Sequence, residues 1–405
     1  MAQNNDDFSK RVLDRVLTEA LSSTTRPTLR QLYDKKLEEY GISSRMAARQ
    51  VMGIEHAALE GILSGTAKFP DALKMLKLAS FLGIDAQEIM SLFIQNASQE
   101  EVAKLDAARR ASFIVKEFDL KQLKKGGLLD DINDFSKIEK RICSFLGLSR
   151  IEEYRDELTY ALYSSTRKAP SNKMLDFWTK AAFQYFVEIA NPNDYDRGAL
   201  KELIPKIRPY TRDVENGLFT VARALFNVGV TVIYQPLLPN TNVRGATFRV
   251  NGKPCIALSG FRLSYSTVWF ALMHELHHVL FDMENITSYH ITGEPDLLLM
   301  NEEQANDFAT EYLFSSERMS YIRPFINDRA IVSRYAEEAQ VHPSIIYGFF
   351  KYQMSQGGNN YWGAFTKYEP NANLMLSKLN ECNWEAESIK NTADQIKKAL
   401  DVTQR

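Results

Sequence analysis

Three of the chain's six histidines fall within FALMHELHHVLFDME, residues 270–284, and one glutamate separates the first from the other two. On a helix turning about 100° per residue, with His274 at zero, Glu275 falls at about 100°, His278 at about 40° and His277 at about 300°. Leu272, Met273, Leu276, Val279 and Leu280 gather between about 140° and about 260°, which makes theirs the buried face. His274, His278 and Glu275 therefore share the opposite side. A histidine pair at i and i+4 can hold one Zn²⁺, and the glutamate between them can reach a water activated there. His277 lies on the flank, as a bystander or a polar lining residue. The plainer alternative is an ordinary helix carrying surface histidines.

A catalytic zinc takes three protein ligands and keeps one position open. NEEQANDFATEYLF, residues 301–314, offers the third. Ala305, Phe308, Ala309 and Leu313 form its buried stripe. Glu302 and Asn306 stand one turn apart on another face, as a ligand and an amide that orients a histidine ring. Glu302 and Glu303 also suit a helix N-terminus electrostatically, which is the alternative role for Glu302. Glu294 and Asp296 are the fallback ligands. The chemistry is metal-assisted hydrolysis, with Glu275 moving the proton from water to a leaving amine. Tyr289, His290 and Tyr312 are unranked candidates for stabilising the oxyanion.

Several elements must position these groups. VTVIYQP, RGATFRV and KPCIALS read as three strands just before the histidine helix, the last two joined by the hairpin signal Asn251-Gly252. Residues 8–100 read as helices, beginning with FSKRVLDRVLTEAL and TLRQLYDKKLEEY and continuing at 44–52, 55–63, 71–82 and beyond Gly83. Residues 98–204 are helical, with breaks at KKGG and SSTRKAPSN, and carry no catalytic constellation. From 320 the pattern is helical again, around a polar loop at QGGNNYWG. Trp178 and Trp269 read as core. The fold class is α+β, mostly helical, divided as 1–97, 98–204, 205–355 and a helical extension, 356–405.

The totals narrow the setting. With 405 residues and 45% hydrophobic content the chain can build two or three packed domains. A net charge of -2 gives no global nucleic-acid signature, so any DNA contact must be local. Cys143, Cys255 and Cys382 are odd in number and far apart, which fits a reduced, cytoplasmic protein. No stretch reads as a signal peptide or membrane span.

The stretch from GVTVIYQPLLPNTNVRGATFRVNGKPCIALSGFRLSYSTVWFALMHELHHVLF through EEQANDFATEYLF to AEEAQVHPSIIYGFFKYQ resembles the ImmA/IrrE family of HExxH zinc metallopeptidases, over roughly residues 205–355. The resemblance implies a zincin-like domain of gluzincin type, with His274, His278 and Glu302 as zinc ligands and Glu275 as base. Two positions depart from the family pattern: His277 stands where glycine is usual, and Asp282 where histidine is frequent. Neither is expected to touch a ligand, and both bear on access to the pocket.

The N-terminal region resembles an XRE-type helix-turn-helix, with GIEHAALEGILSG as turn and recognition helix and FPDALKMLKLASFLGIDAQEI as the last two of five helices. One register departs: the small residue expected four positions before the turn glycine would be Arg49, and Ala48 is one place off. As a DNA reader this unit presents Glu55 and His56 to base edges, with Arg45, Arg49 and Lys68 on phosphates. As a partner module the same helices serve dimerisation. The fusion resembles regulators of bacterial mobile elements and antidote-type proteins of toxin–antitoxin systems. It implies transcription regulation through double-stranded DNA, a repressor- or antitoxin-like protein substrate, and an assembly compatible with a homodimer.

Overall fold

The computed structural model describes residues 27–67, 70–96, 99–155, 172–286, 289–292, 299–356, 363–379 and 382–401. The first expected helix, FSKRVLDRVLTEAL, lies outside them, as do most of SSTRKAPSN and QGGNNYWG. The chain divides into two compact units, Met1–Ala111 and Ser112–Arg405.

The first unit packs α1 (Leu29–Tyr40), α2 (Ser44–Met46, running on as a π-helical turn Ala47–Met52), α3 (His56–Leu63), α4 (Ala72–Leu82) and α5 (Ala86–Asn96) around Leu29, Tyr33, Leu59, Ile62, Leu78 and Ile89. Thr28 closes a capping box with Gln31 at the start of α1, and Asp71 caps α4. The π turn ends at Gly53. The N–H of Gly53, at φ 61°, reaches back five residues to the carbonyl of Ala48. That spacing buries Ala48 and leaves Arg49 exposed, so one extra residue is absorbed without breaking the core.

A sixth helix, α6 (Gln99–Glu117), contains the division between units. The second unit continues with α7 (Leu120–Lys125), α8 (Phe135–Leu146), α9 (Lys173–Ile189), α10 (Arg197–Leu203) and α11 (Gly217–Asn227). Then come β1 (Thr231–Tyr234), β2 (Gly245–Val250), β3 (Lys253–Leu258), α12 (Tyr265–Phe281), β4 (Tyr289–Thr292) and α13 (Leu299–Phe314). It closes with α14 (Ser316–Ile322), α15 (Arg329–Glu338), α16 (Pro343–Gln356), α17 (Ala372–Leu376) and α18 (Ile389–Leu400). The molecule is thus mostly helical with one small mixed sheet. Its order is β1-β3-β2-β4, with β1 parallel to β3 and the other pairs antiparallel. The three expected strands are present, and Asn251 and Gly252, at φ 51° and 79°, turn the hairpin. β4 joins them as a fourth strand that local pattern did not announce.

Alternation along β2 aims its residues at two layers. Thr247 faces α12, where its hydroxyl meets Glu275, while Phe248 packs on Phe186 of α9 with ring centroids 5.3 Å apart. The middle and C-terminal helices therefore do not stand apart from the sheet and the histidine helix; they share one core with them. Trp178 and Trp384 both donate their indole N–H to the Pro236 carbonyl, at 3.1 and 3.3 Å. Arg141 of α8 ties the carbonyls of Leu128, Trp384 and Glu387 together. Trp178 and Trp269 are fully buried, and rings of that size each contribute roughly 4–6 kcal/mol of gross apolar burial. No helix among the described residues is long and apolar enough to cross a membrane.

Candidate metal centre

The helix that carries the histidines is fixed at both ends. Ser264 and Thr267 form a capping box at the start of α12. At its end Arg197 donates twice to the Leu280 carbonyl, at 3.0 and 2.7 Å, and the Tyr195 hydroxyl donates to the Val279 carbonyl. Carbonyls that have no partner within the helix are satisfied there by the region before the sheet. Between these ends α12 lies against β2 and β3 on one side and α13 on the other. The sequence pattern suggests a helix with one buried face, but all four motif residues, His274, Glu275, His277 and His278, are buried. Their side of the helix faces α13 and the interior of a cleft instead of bulk water.

His274, His278 and Glu302 converge. The Nε2 atoms of the two histidines are 3.2 Å apart, and each lies 3.4 Å from one oxygen of Glu302. A tetrahedral ion with ligand bonds of about 2.0–2.1 Å needs donors about 3.3–3.4 Å apart, so this trio fits a single small cation. The outer nitrogens are also engaged. His274 Nδ1 is 3.1 Å from Asn306 Oδ1, and His278 Nδ1 is 2.7 Å from Asp282 Oδ2. Bonds of this kind orient imidazole rings and set which nitrogen faces the ion. Asp282 was expected to leave the ligands alone. It touches one directly, because on a helix it sits one turn beyond His278.

Electrostatics favours a cation between the rings. Burial opposes charge on His278, yet Asp282 and Glu302 hold its proton, and the balance raises it to about 10. A metal ion would take that proton's place. His277 goes the other way: burial, then neighbouring His278, push it down to about 4. Its ring packs against Phe281 and Phe308, with centroids 4.8 and 5.5 Å away, and its Nδ1 makes no hydrogen bond. His277, His278 and Asp282 form a second group close enough to hold an ion. It shares His278, whose Nδ1 Asp282 already holds, so it serves as support for the first.

Glu275 is fully buried and accepts a hydrogen bond from Thr247 at 2.7 Å. A Cβ at Gly245 would stand 2.6 Å from Glu275 Oε1, so only glycine on β2 lets the carboxylate lie there. Sequence reasoning missed Thr247, Gly245 and Asp282. Asp282 had a signal in its i+4 spacing; the other two depend on how the strand docks. The trio opens through His274 and Glu275 onto a cleft lined on its far side by α16.

Of the remaining candidates, Tyr312 packs against Phe308 with centroids 4.5 Å apart. Glu294 and Asp296 lie outside the described residues, as do the side chains of Tyr289 and His290. In the first unit Arg45, Arg49 and Glu55 are exposed. His56 is half-buried, with Nε2 3.2 Å from the Ser44 hydroxyl. Glu60 of the same helix is paired with Arg30 at 2.5 Å, which offsets one of the acidic charges on α3. Lys68 lies outside the described residues. Comparisons with models of protein families, with curated proteins and with solved structures find no match to this chain.

Proposed function

We propose that the chain is a cytoplasmic, zinc-dependent endopeptidase of ImmA/IrrE type that cleaves a specific protein partner such as a repressor or antitoxin. The observation that carries this reading is Glu275, a buried carboxylate held beside the ligand trio on the side open to the cleft. A purely structural ion has no use for such a group, and burying it uncompensated would cost stability. His274, His278 and Glu302 would hold the zinc, whose ligand set of two imidazoles and a carboxylate suits that metal. Bound zinc supplies Lewis acidity, bringing water ionisation toward neutral pH and polarising a peptide carbonyl. Glu275 takes the proton from the attacking water and passes it to the leaving amine nitrogen. Thr247 keeps its carboxylate aimed while it does so, and Asn306 and Asp282 keep the two imidazoles in register. Three thiols without disulfide partners, Cys143, Cys255 and Cys382, agree with a reducing compartment. The test is Glu275→Gln, which should retain zinc yet lose cleavage of the cognate partner and trap it bound. Cleavage at the wild-type rate would overturn the mechanism.

A second reading is a DNA-binding repressor or antitoxin-type regulator whose zinc domain senses or binds a partner without essential proteolysis. The observation in its favour is the exposure of Arg45 and Arg49 on α2 and its π-helical continuation, just before α3, a placement suited to phosphate contacts on double-stranded DNA. On this reading Arg45→Ala with Arg49→Ala abolishes operator binding, while Glu275→Gln leaves regulation intact. Loss of regulation in Glu275→Gln would count against it.

A further inference from the structure

The cleft beside His274 and Glu275 has a composition that selects what enters it. One wall is aromatic: Phe270 of α12 meets Phe349 and Tyr352 of α16 with ring centroids 5.8 and 5.9 Å apart. The deeper polar groups are already matched to each other. Lys351, buried in the lining, pairs with Glu369 at 2.9 Å, and Ser266 donates to the same carboxylate at 3.1 Å. That pair therefore presents no net charge to an incoming group, and the body of the pocket is suited to apolar contact.

The rim of the lining is biased toward positive charge. Arg244 and Arg262 are both exposed there, and Glu275 is the only carboxylate lining the cleft among the described residues. Arg262 sits in the loop between β3 and α12 with φ at 49°, a left-handed backbone that a non-glycine residue adopts at a cost. Its guanidinium lies over the Phe261 ring, 5.4 Å from the centroid. Two exposed arginines at the cleft, one beside β2 and one backed by Phe261, bias the field there toward an anionic group.

We propose that this cleft takes a large apolar side chain, aromatic or leucine-sized, next to the cleaved bond, and that Arg244 and Arg262 hold an acidic residue of the same substrate segment. The inference rests on reading the site as a peptidase and names the class of sequence it would cut. Filling the aromatic pocket instead of leaving it with alanine is worth about 10- to 100-fold in affinity. Two exposed arginines add about five- to tenfold for an acidic neighbour over a neutral one, and that part fades with salt.

The experiment uses full-length, zinc-loaded Glu275→Gln and fluorescein-labelled ten-residue peptides that vary the bulky position and the charge beside it. Anisotropy reads binding, and wild-type protein is tested for cleavage of the same peptides. Tightest binding by the bulky-plus-acidic peptides, with the preference inverted toward lysine in Arg244→Glu/Arg262→Glu, is the expected result. Arg244→Glu alone should show part of the inversion, which guards against disturbance of the strained loop by the second change. If binding follows this preference but wild type cuts nothing, the specificity stands and the peptidase reading falls. If wild type cuts in a Glu275-dependent way without regard to bulk or charge, the peptidase reading stands and the specificity is overturned. Absence of both binding and cleavage overturns the proposed specificity as well.

Discussion

Replacing Asn306 with alanine should weaken metal binding without unfolding the protein. Its Oδ1 lies 3.1 Å from Nδ1 of His274, whose side chain is 2% exposed. Removing it leaves a buried imidazole nitrogen without that partner. A buried donor stripped of its acceptor costs about 1–3 kcal/mol. At about 1.36 kcal/mol per decade this is a loss of roughly 5- to 150-fold. The independent expectation for losing a residue that orients a metal-binding histidine is about 10- to 100-fold, the same range. The assay is a competition titration against a chromogenic chelator at fixed pH, with metal-free thermal unfolding run alongside. Asn306→Asp serves as the control: it keeps the acceptor, so its affinity should match or exceed wild type. Equal affinity in Asn306→Ala and wild type would refute the orienting role. So would a loss in Asn306→Asp equal to that in Asn306→Ala.

Other outcomes follow from the same coordinates. His278 is raised to about 10, so it carries a proton in the metal-free protein at neutral pH, and binding must expel it. Apparent metal affinity should then rise about tenfold per pH unit above neutrality and level off near pH 10, where His278 loses its proton unaided. Affinity independent of pH across this window would show that the proton is held elsewhere. Gly245→Ala places a Cβ 2.6 Å from Glu275 Oε1 and should cost about 1–3 kcal/mol in denaturant unfolding while displacing the base. Zinc content should survive, and unimpaired cleavage would contradict the placement of Glu275. Lys351→Met leaves the largely buried Glu369 carboxylate without its counter-charge, with the Ser266 hydroxyl still donating to it, and should cost about 2–4 kcal/mol. Adding Glu369→Leu should recover most of that loss, and a double variant as unstable as the single would argue against the pair.

Much of the site is written locally. The i, i+4 histidines, the glutamate between them, and the Glu302–Asn306 turn all follow from helical periodicity, which is fixed by backbone geometry alone. The Asn251-Gly252 hairpin is equally local, because two successive residues with positive φ demand such residues. What stays hidden depends on docking. Thr247 and Gly245 reach Glu275 only because β2 lies under α12, and their types carry no metal-site signal. β4 is a four-residue strand paired to β2, too short to show alternation. The middle and C-terminal helices share one core with the sheet through Trp178, Trp384 and Arg141, contacts between residues far apart in sequence. Asp282 is expected from the sequence to leave the ligands alone, yet its i+4 spacing from His278 puts its carboxylate on that ring. In the first unit the π turn that buries Ala48 and exposes Arg49 has no signature in helical periodicity.

On the proposed function, His274, His278 and Glu302 hold one catalytic zinc. The most direct measurement is the zinc content of purified wild-type protein beside Glu302→Ala, by elemental analysis after metal reconstitution. The account predicts about one zinc per chain in wild type and a lost or strongly weakened site in the variant. No zinc in wild type, or undiminished zinc in Glu302→Ala, would contradict it.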